Sequence, residues 1–240
     1  MLRRALHDIT GMRIHAMEGD LGHVHDVYIE DGRWLVRYLQ VDTRHWLLNR
    51  HVLLAPTAVQ SLDWERGRIH VALTREQVRN SPDIDSHKPV SRQHQMQLHE
   101  YFQWPFPVSE RVWEGAGLAD ELHKLMIDTR GQQVTGPSPE KTPEQAKDDP
   151  HLWSVRALSH YGLEGTDGDV GRVDDFLVHP DRWTIRHMVI DGGSPLQAKW
   201  FLVPVDSVKW ISWNAKRMRV ALGSKTIAAL PRFAMSPPLP

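Results

Sequence analysis

His23 and His25 lie two residues apart in Gly22-His23-Val24-His25-Asp26, so an extended strand carries both imidazoles on one face, close to a carboxylate. Two imidazoles at that spacing can share a transition metal. His94 and His99, with His87 upstream, form a looser group, and their i, i+5 spacing does not suit one face of a helix. A metal site needs three or more convergent ligands, so neither group is assigned as one, and no metal or cofactor is expected. Asp26 with Arg37, and Asp175 with Arg186, are opposite charges that recur along the chain. They read as cross-strand pairs or turn hydrogen bonds that help set register, with a charged-ligand site as the alternative. Trp34, Trp64, Trp183 and Trp213 could stack on nucleic acid bases, but such platforms want interleaved basic residues that are missing here. They read as core residues or end plugs, with Trp34 and Trp183 in equivalent, buried places. No Ser-His-Asp order, nucleophile elbow or phosphate-cradling glycine loop is present, and Gly19 to Gly22 reads as a turn between strands. No catalytic residue is assigned and the chain is not expected to be an enzyme.

The elements that position these residues are duplicated. Sliding the chain against itself by 149 positions, the separation of Gly19 and Gly168, aligns two segments without a gap, about Gly19 to Pro82 and Gly168 to Pro231. Gly19-Asp20-Leu21-Gly22 falls on Gly168-Asp169-Val170-Gly171, and Arg33-Trp34 and Arg37 fall on Arg182-Trp183 and Arg186. Asp42 falls on Asp191, Trp64 on Trp213, and Val71-Ala72-Leu73 on Val220-Ala221-Leu222.

Each copy reads as short strands between turns. In the first, Met12 to Met17 is a strand, Gly19-Asp20 a turn, and Gly22 to Ile29 a second strand. Asp31-Gly32 is a two-residue hairpin signal. Trp34 to Val41 alternates, with Trp34, Val36 and Tyr38 on one face. His51 to Leu54, Val59 to Trp64 and Arg68 to Leu73 complete about six strands, whose spacing suggests a small closed barrel without exposed edges. The fold class is therefore mainly β: two tandem small β-barrels with short helices and an irregular linker. Thr74-Arg75-Glu76-Gln77 has the form of a capping box opening a helix to about Asn80. Ser91 to about Trp104 and Leu118 to Ile127 are further helix candidates. The domains read as 1–108, a linker over 109–150 that is proline-spaced from Gly136 to Pro150, a second domain over 151–231, and a Pro-rich tail over 232–240.

Composition narrows the function classes. The 240 residues have a net charge of −1, so no global basic field attracts nucleic acid or acidic lipid. Protonating all 15 histidines would carry that charge to +14. The absence of cysteine excludes disulfides, thiolate catalysis and thiolate-bound metals, and fits a reducing, cytoplasmic location. The start, Met1-Leu2-Arg3-Arg4-Ala5-Leu6-His7-Asp8, resembles a signal peptide, but His7 and Asp8 interrupt any apolar core, and no run is long enough to span a membrane.

With these motifs laid out, the chain resembles the PRC-barrel family, whose name comes from the barrel of the photosynthetic reaction-centre H subunit. The resemblance rests on Gly19-Asp20-Leu21-Gly22-His23-Val24-His25-Asp26-Val27-Tyr28, on Trp34 through Thr43, on His51-Val52-Leu53-Leu54-Ala55-Pro56 and on Leu73 through Val78 with Ser81-Pro82. In the second copy it rests on Asp167-Gly168-Asp169-Val170-Gly171 and Trp183-Thr184-Ile185-Arg186. That copy departs in one loop, with Gly192-Gly193-Ser194-Pro195 where the first has Thr43-Arg44-His45-Trp46, and Trp200-Phe201 replaces His51-Val52. The resemblance implies a binding or assembly module without shared catalytic residues. The expected function is a non-catalytic protein-binding or scaffold protein, possible aid to assembly of a larger complex included. A small-ligand or metal sensor and an RNA- or ribosome-associated factor are the alternatives. A protein partner is expected and nucleic acid is not. A pseudo-two-fold pair of barrels in a monomer is favoured over a homodimer.

Overall fold

The computed structural model describes residues 4–43, 46–47, 50–82, 92–104, 151–193 and 199–233. The chain forms two compact units, one of Met1–Val90 with Asp149–Pro240 and one of Ser91–Asp148. Both copies fall within the first of these units. The linker over 109–150, the helix candidate at Leu118 to Ile127, His87 and most of the Pro-rich tail lie outside the described residues.

The larger unit is mainly β. Its first half holds β1 (Arg4–Ala5), β2 (Arg13–Ala16), β3 (Gly19–Glu30), β4 (Leu35–Asp42), β5 (His51–Leu54), β6 (Val59–Asp63), β7 (Arg68–Val71) and helix α1 (Arg75–Arg79). The smaller unit contributes α2 (Arg92–Phe102), in which Leu98 is buried, followed by Trp104 stacked on Phe102. The larger unit resumes with β8 (Leu152–Ser154), α3 (Val155–Leu158), β9 (Gly162–Gly165), β10 (Gly168–His179), β11 (Thr184–Asp191), β12 (Trp200–Pro204), β13 (Val208–Ser212), β14 (Arg217–Val220) and α4 (Ser224–Ala228).

Fourteen strands are linked in one sheet along the path β13-β14-β9-β10-β11-β4-β3-β2-β7-β6, with β12 on β11, β5 on β4, β1 on β10 and β8 on β3. Each half therefore has the same six-strand order, with its first strand parallel to its last in β2–β7 and β9–β14. The path does not return on itself among the described residues, so the sheet is open rather than two closed rings. Alternating apolar residues explain the core. Ile14, Leu21, Val24, Val27, Tyr38 and Ile69 are buried in one half, and Leu163, Val173, Phe176, Met188 and Met218 in the other.

Two local expectations change. The chain turns at Met17-Glu18 and β3 begins at Gly19, because Gly19 and Gly22 take φ of 124° and 143° within the strand. Gly22 cannot be replaced without movement, since a Cβ there would meet the Asp42 carbonyl oxygen. The β3–β4 connection is a four-residue turn in which Trp34, not Gly32, takes the left-handed conformation (φ 54°). Trp183 does the same at φ 56°, after Pro180. The expected capping box at α1 is present: Gln77 N–H donates to Thr74 Oγ1 at 3.1 Å, and Thr74 N–H donates to Gln77 Oε1 at 2.9 Å.

The two halves are joined by a reciprocal exchange. Strand β1 leaves its own half and pairs with β10, Arg4 opposite Val178 and Ala5 opposite Leu177. Its counterpart 149 residues on, within β8, pairs with β3, Trp153 opposite Ile29 and Ser154 opposite Tyr28. At the pseudo-two-fold axis Leu35 faces Thr184, while Val36 N–H donates to Trp183 O (2.8 Å) and Ile185 N–H to Trp34 O (2.7 Å). The left-handed tryptophans present these two carbonyls.

Candidate functional site

Asp26 and Asp175 hold the exchanged arms. Asp26 is buried on β3, and its Oδ1 accepts from Val27 N–H (2.7 Å) and from Arg156 N–H of the crossing arm (3.2 Å). Its Oδ2 accepts from Ser154 Oγ at 2.5 Å. Asp175 repeats the pattern toward the other arm, accepting from Phe176 N–H (2.7 Å) and His7 N–H (3.2 Å). Ala5 stands where the other arm has Ser154, and the His7 imidazole lies 2.5 Å from Oδ2, the same oxygen that accepts the His7 N–H, leaving Oδ1 to Phe176. Burial pushes the Asp26 carboxyl above the usual carboxylate range despite these donors. The hydrogen bond to Asp175 raises His7 above the ordinary histidine value.

The register gives the aspartates cross-strand neighbours other than the arginines. Asp26 faces Gln40 and Asp175 faces Val189, while Arg37 lies 3.4 Å from Glu30. Arg186 is exposed on β11. Donors to both aspartates come instead from arms more than 120 residues away in the chain.

The four tryptophans divide. Trp34 is buried and stacks on Phe176 of the other half at 6.0 Å. Trp183 is only half-buried, and the position matching Phe176 is Val27, which offers no ring. Trp64 lies under the Arg4 guanidinium at 4.9 Å, and Trp213, 40% exposed, stacks on Trp153 at 4.6 Å. Trp210, absent from the sequence reading, is 41% exposed on β13, where the first half has Ser61. β13 is one end of the sheet path. Comparing the two copies for positions where one gains an aromatic would have flagged it.

A third feature brings His25 together with two residues that sequence reasoning did not join to it. His23 on β3 faces Asp42 on β4, which faces His51 on β5. His25 is the extra residue of a bulge between Val24 and Asp26. Its ring stacks on His51, centroids 5.0 Å apart. One potential ligand atom from each of His25, Asp42 and His51 lies within 4.8 Å of the other two. His51 Nε2 is 3.9 Å and His23 Nε2 4.0 Å from Asp42 Oδ2. Asp42 is buried and His51 half-buried. Asp42 was visible as a duplicated residue, but its closeness to His51 needs the β4–β5 register. His94 lies within α2; His99 is buried there and sits edge-on to Trp104 at 6.0 Å.

No protein-family model matches this chain, and no curated protein is significantly similar to it. Among the described residues, no helix is long and apolar enough to cross a membrane.

Proposed function

We propose that the chain is a non-catalytic protein-binding or scaffold protein built from two PRC-type barrels. The barrel reading is supported by the shared six-strand order. It is also supported by the three-residue 3-10 turns at Pro56–Ala58 and Val205–Ser207, which join β5 to β6 and β12 to β13. The last strand of each half bonds back to that corner, Ala72 N–H to Ala58 O (2.9 Å) and Ala221 N–H to Ser207 O (2.8 Å). Such a corner brings the two ends of each strand set toward one another, as closure requires.

The observation that carries the binding role is Trp210. A tryptophan 41% exposed on a terminal strand is an anchor of the type enriched at protein interfaces. Copy one, with Ser61 at this place, does not need the aromatic for folding. The expected ligand is another protein.

Affinity capture from source-cell extract with the wild-type chain and with Trp210→Ser as baits tests this, followed by binding of the purified candidate. The expected result is a protein held by the wild type and released by a folded Trp210→Ser variant. Equal capture by both baits, or a substrate turnover abolished by a point mutation in either half, overturns the reading.

A further inference from the structure

We propose that His25, Asp42 and His51 form a binding site for one late first-row divalent cation, zinc being the probe of choice, with His23 at its rim. This is independent of the Trp210 face, because it rests on other residues in the other half of the unit.

The three ligands come from three successive strands. Asp42 and His51 are paired by the β4–β5 register, and the bulge in β3 adds His25, whose ring reaches over β4 to lie on His51. Bulges commonly re-aim a side chain in this way. The tetrahedral bond lengths of zinc, about 2.0–2.2 Å to nitrogen and oxygen, place neighbouring ligand atoms roughly 3.3 Å apart. The candidate atoms already lie within 4.8 Å of one another, and side-chain rotation is the movement that would bring them to that spacing. His23, half exposed and 4.0 Å from Asp42, can supply a fourth nitrogen, or water can take that position. Imidazole nitrogen with a single carboxylate selects zinc, cobalt, nickel or copper over magnesium and calcium, which take oxygen sets.

The second copy supplies an internal control. At the matching positions it has Arg172, Asp174, Asp191 and Trp200. There the Arg172 guanidinium lies 3.6 Å from the Asp191 carboxylate, so an ordinary ion pair suffices to keep that aspartate in the fold. The bulge is retained too, between Val173 and Asp175. The scaffold is thus common to both halves, while the histidines at its three variable corners belong to one. Around the proposed site, Arg156 Nη1 lies 3.1 Å from His25 Nε2, and Gln40 Nε2 lies 3.5 Å from His51 Nδ1. Arg156 is exposed and comes from the crossing arm, so a cation on His25 Nε2 would displace a contact between the halves.

The test is calorimetric titration of tag-free, chelator-stripped full-length chain with Zn2+, alongside the visible absorption of the Co2+ form. One tight equivalent per chain and Co2+ bands of low-coordinate geometry are expected. Replacing the ligands by the residues of copy two, His25→Asp and His51→Trp together, should weaken zinc binding by more than the roughly 10–100-fold that loss of a supporting residue costs. Asp174→Asn, in the other half, should leave it unchanged. No zinc uptake by the wild type, or an undiminished tight equivalent in the double variant, overturns the proposal. Should the double variant fail to fold, imidazole NMR of the wild type decides. Zinc-induced shifts at His25 and His51 support the site, and shifts confined to other histidines overturn it.

Discussion

Asp26 shows how a single carboxylate can be held by donors and still be uncomfortable. It accepts from two backbone N–H groups and a hydroxyl, yet burial raises it above the usual carboxylate range. Asp26→Ala should cost about 2–3 kcal/mol, because the Arg156 N–H and Ser154 hydroxyl lose their acceptor where the arm meets β3. Asp26→Asn should stay within about 1 kcal/mol of wild type, since an amide keeps one acceptor oxygen and can donate to Ser154 while removing the buried charge. Urea denaturation separates the two; equal losses would show that the charge itself holds the arm. His7 has the same pH sign, since both folded values are raised, but it acts in the histidine range. Its folded value is raised by the Asp175 hydrogen bond, with Asp8 and Asp174 adding attraction, so its contribution is fully present below the ordinary histidine value. That contribution disappears as pH rises through the raised value. The thermal midpoint of wild type should therefore fall toward that of His7→Gln as pH climbs through this window. Parallel curves at all pH values would remove His7 from the linkage.

At the scale of elements, the β3–β4 and β10–β11 turns are alike in backbone and unlike in packing. Both place a tryptophan at positive φ so that its carbonyl meets the other half. Such a conformation costs about 1–3 kcal/mol for a non-glycine residue and persists only where surrounding contacts hold it. Trp34 has those contacts, being buried and stacked on Phe176, whereas Trp183 is half-buried. Trp34→Ala is expected to cost about 3–5 kcal/mol and Trp183→Ala clearly less, as read from denaturant midpoints. Equal costs would mean that the turn geometry, rather than ring burial, dominates at both places. The β3–β4 approach makes a sharper demand at Gly22. A Cβ there would overlap the Asp42 carbonyl oxygen, and φ is already 143°. Gly22→Ala should destabilise by about 2–5 kcal/mol, from clash and strain together. A variant with unchanged stability would show that these strands separate freely.

For the molecule as a whole, the arms make each half incomplete. Ala5 packs with Leu177 and Val189 in the second half, and Leu6 beside it is fully buried. The β8 arm covers β3 in return. Residues 1–110 and 150–240 expressed separately should each be much less stable than the full chain, and mixing them should restore a 1:1 complex by exchanging arms. Size-exclusion chromatography with light scattering reads this directly. Two halves that fold alone with full stability and ignore one another would show the exchange to be dispensable.

The sequence by itself determined the 149-residue register of the two copies, the mainly β character and the capped helix after Leu73. All of these are local: apolar alternation, turn chemistry and cap residues act within a few positions, and a repeated pattern reports itself. The tertiary structure alone decided what those residues touch. Asp26 looked like a partner for Arg37 because both lie on neighbouring strands, but the β3–β4 register sets it opposite Gln40 and an arm from the other half supplies the donors. Asp42 and His51 were both in plain view, nine residues apart, and only the folding back of β5 onto β4 sets them opposite each other with His25 alongside. Contacts of this kind depend on strand register and on which half an arm chooses, and neither is written in the spacing of residues along the chain.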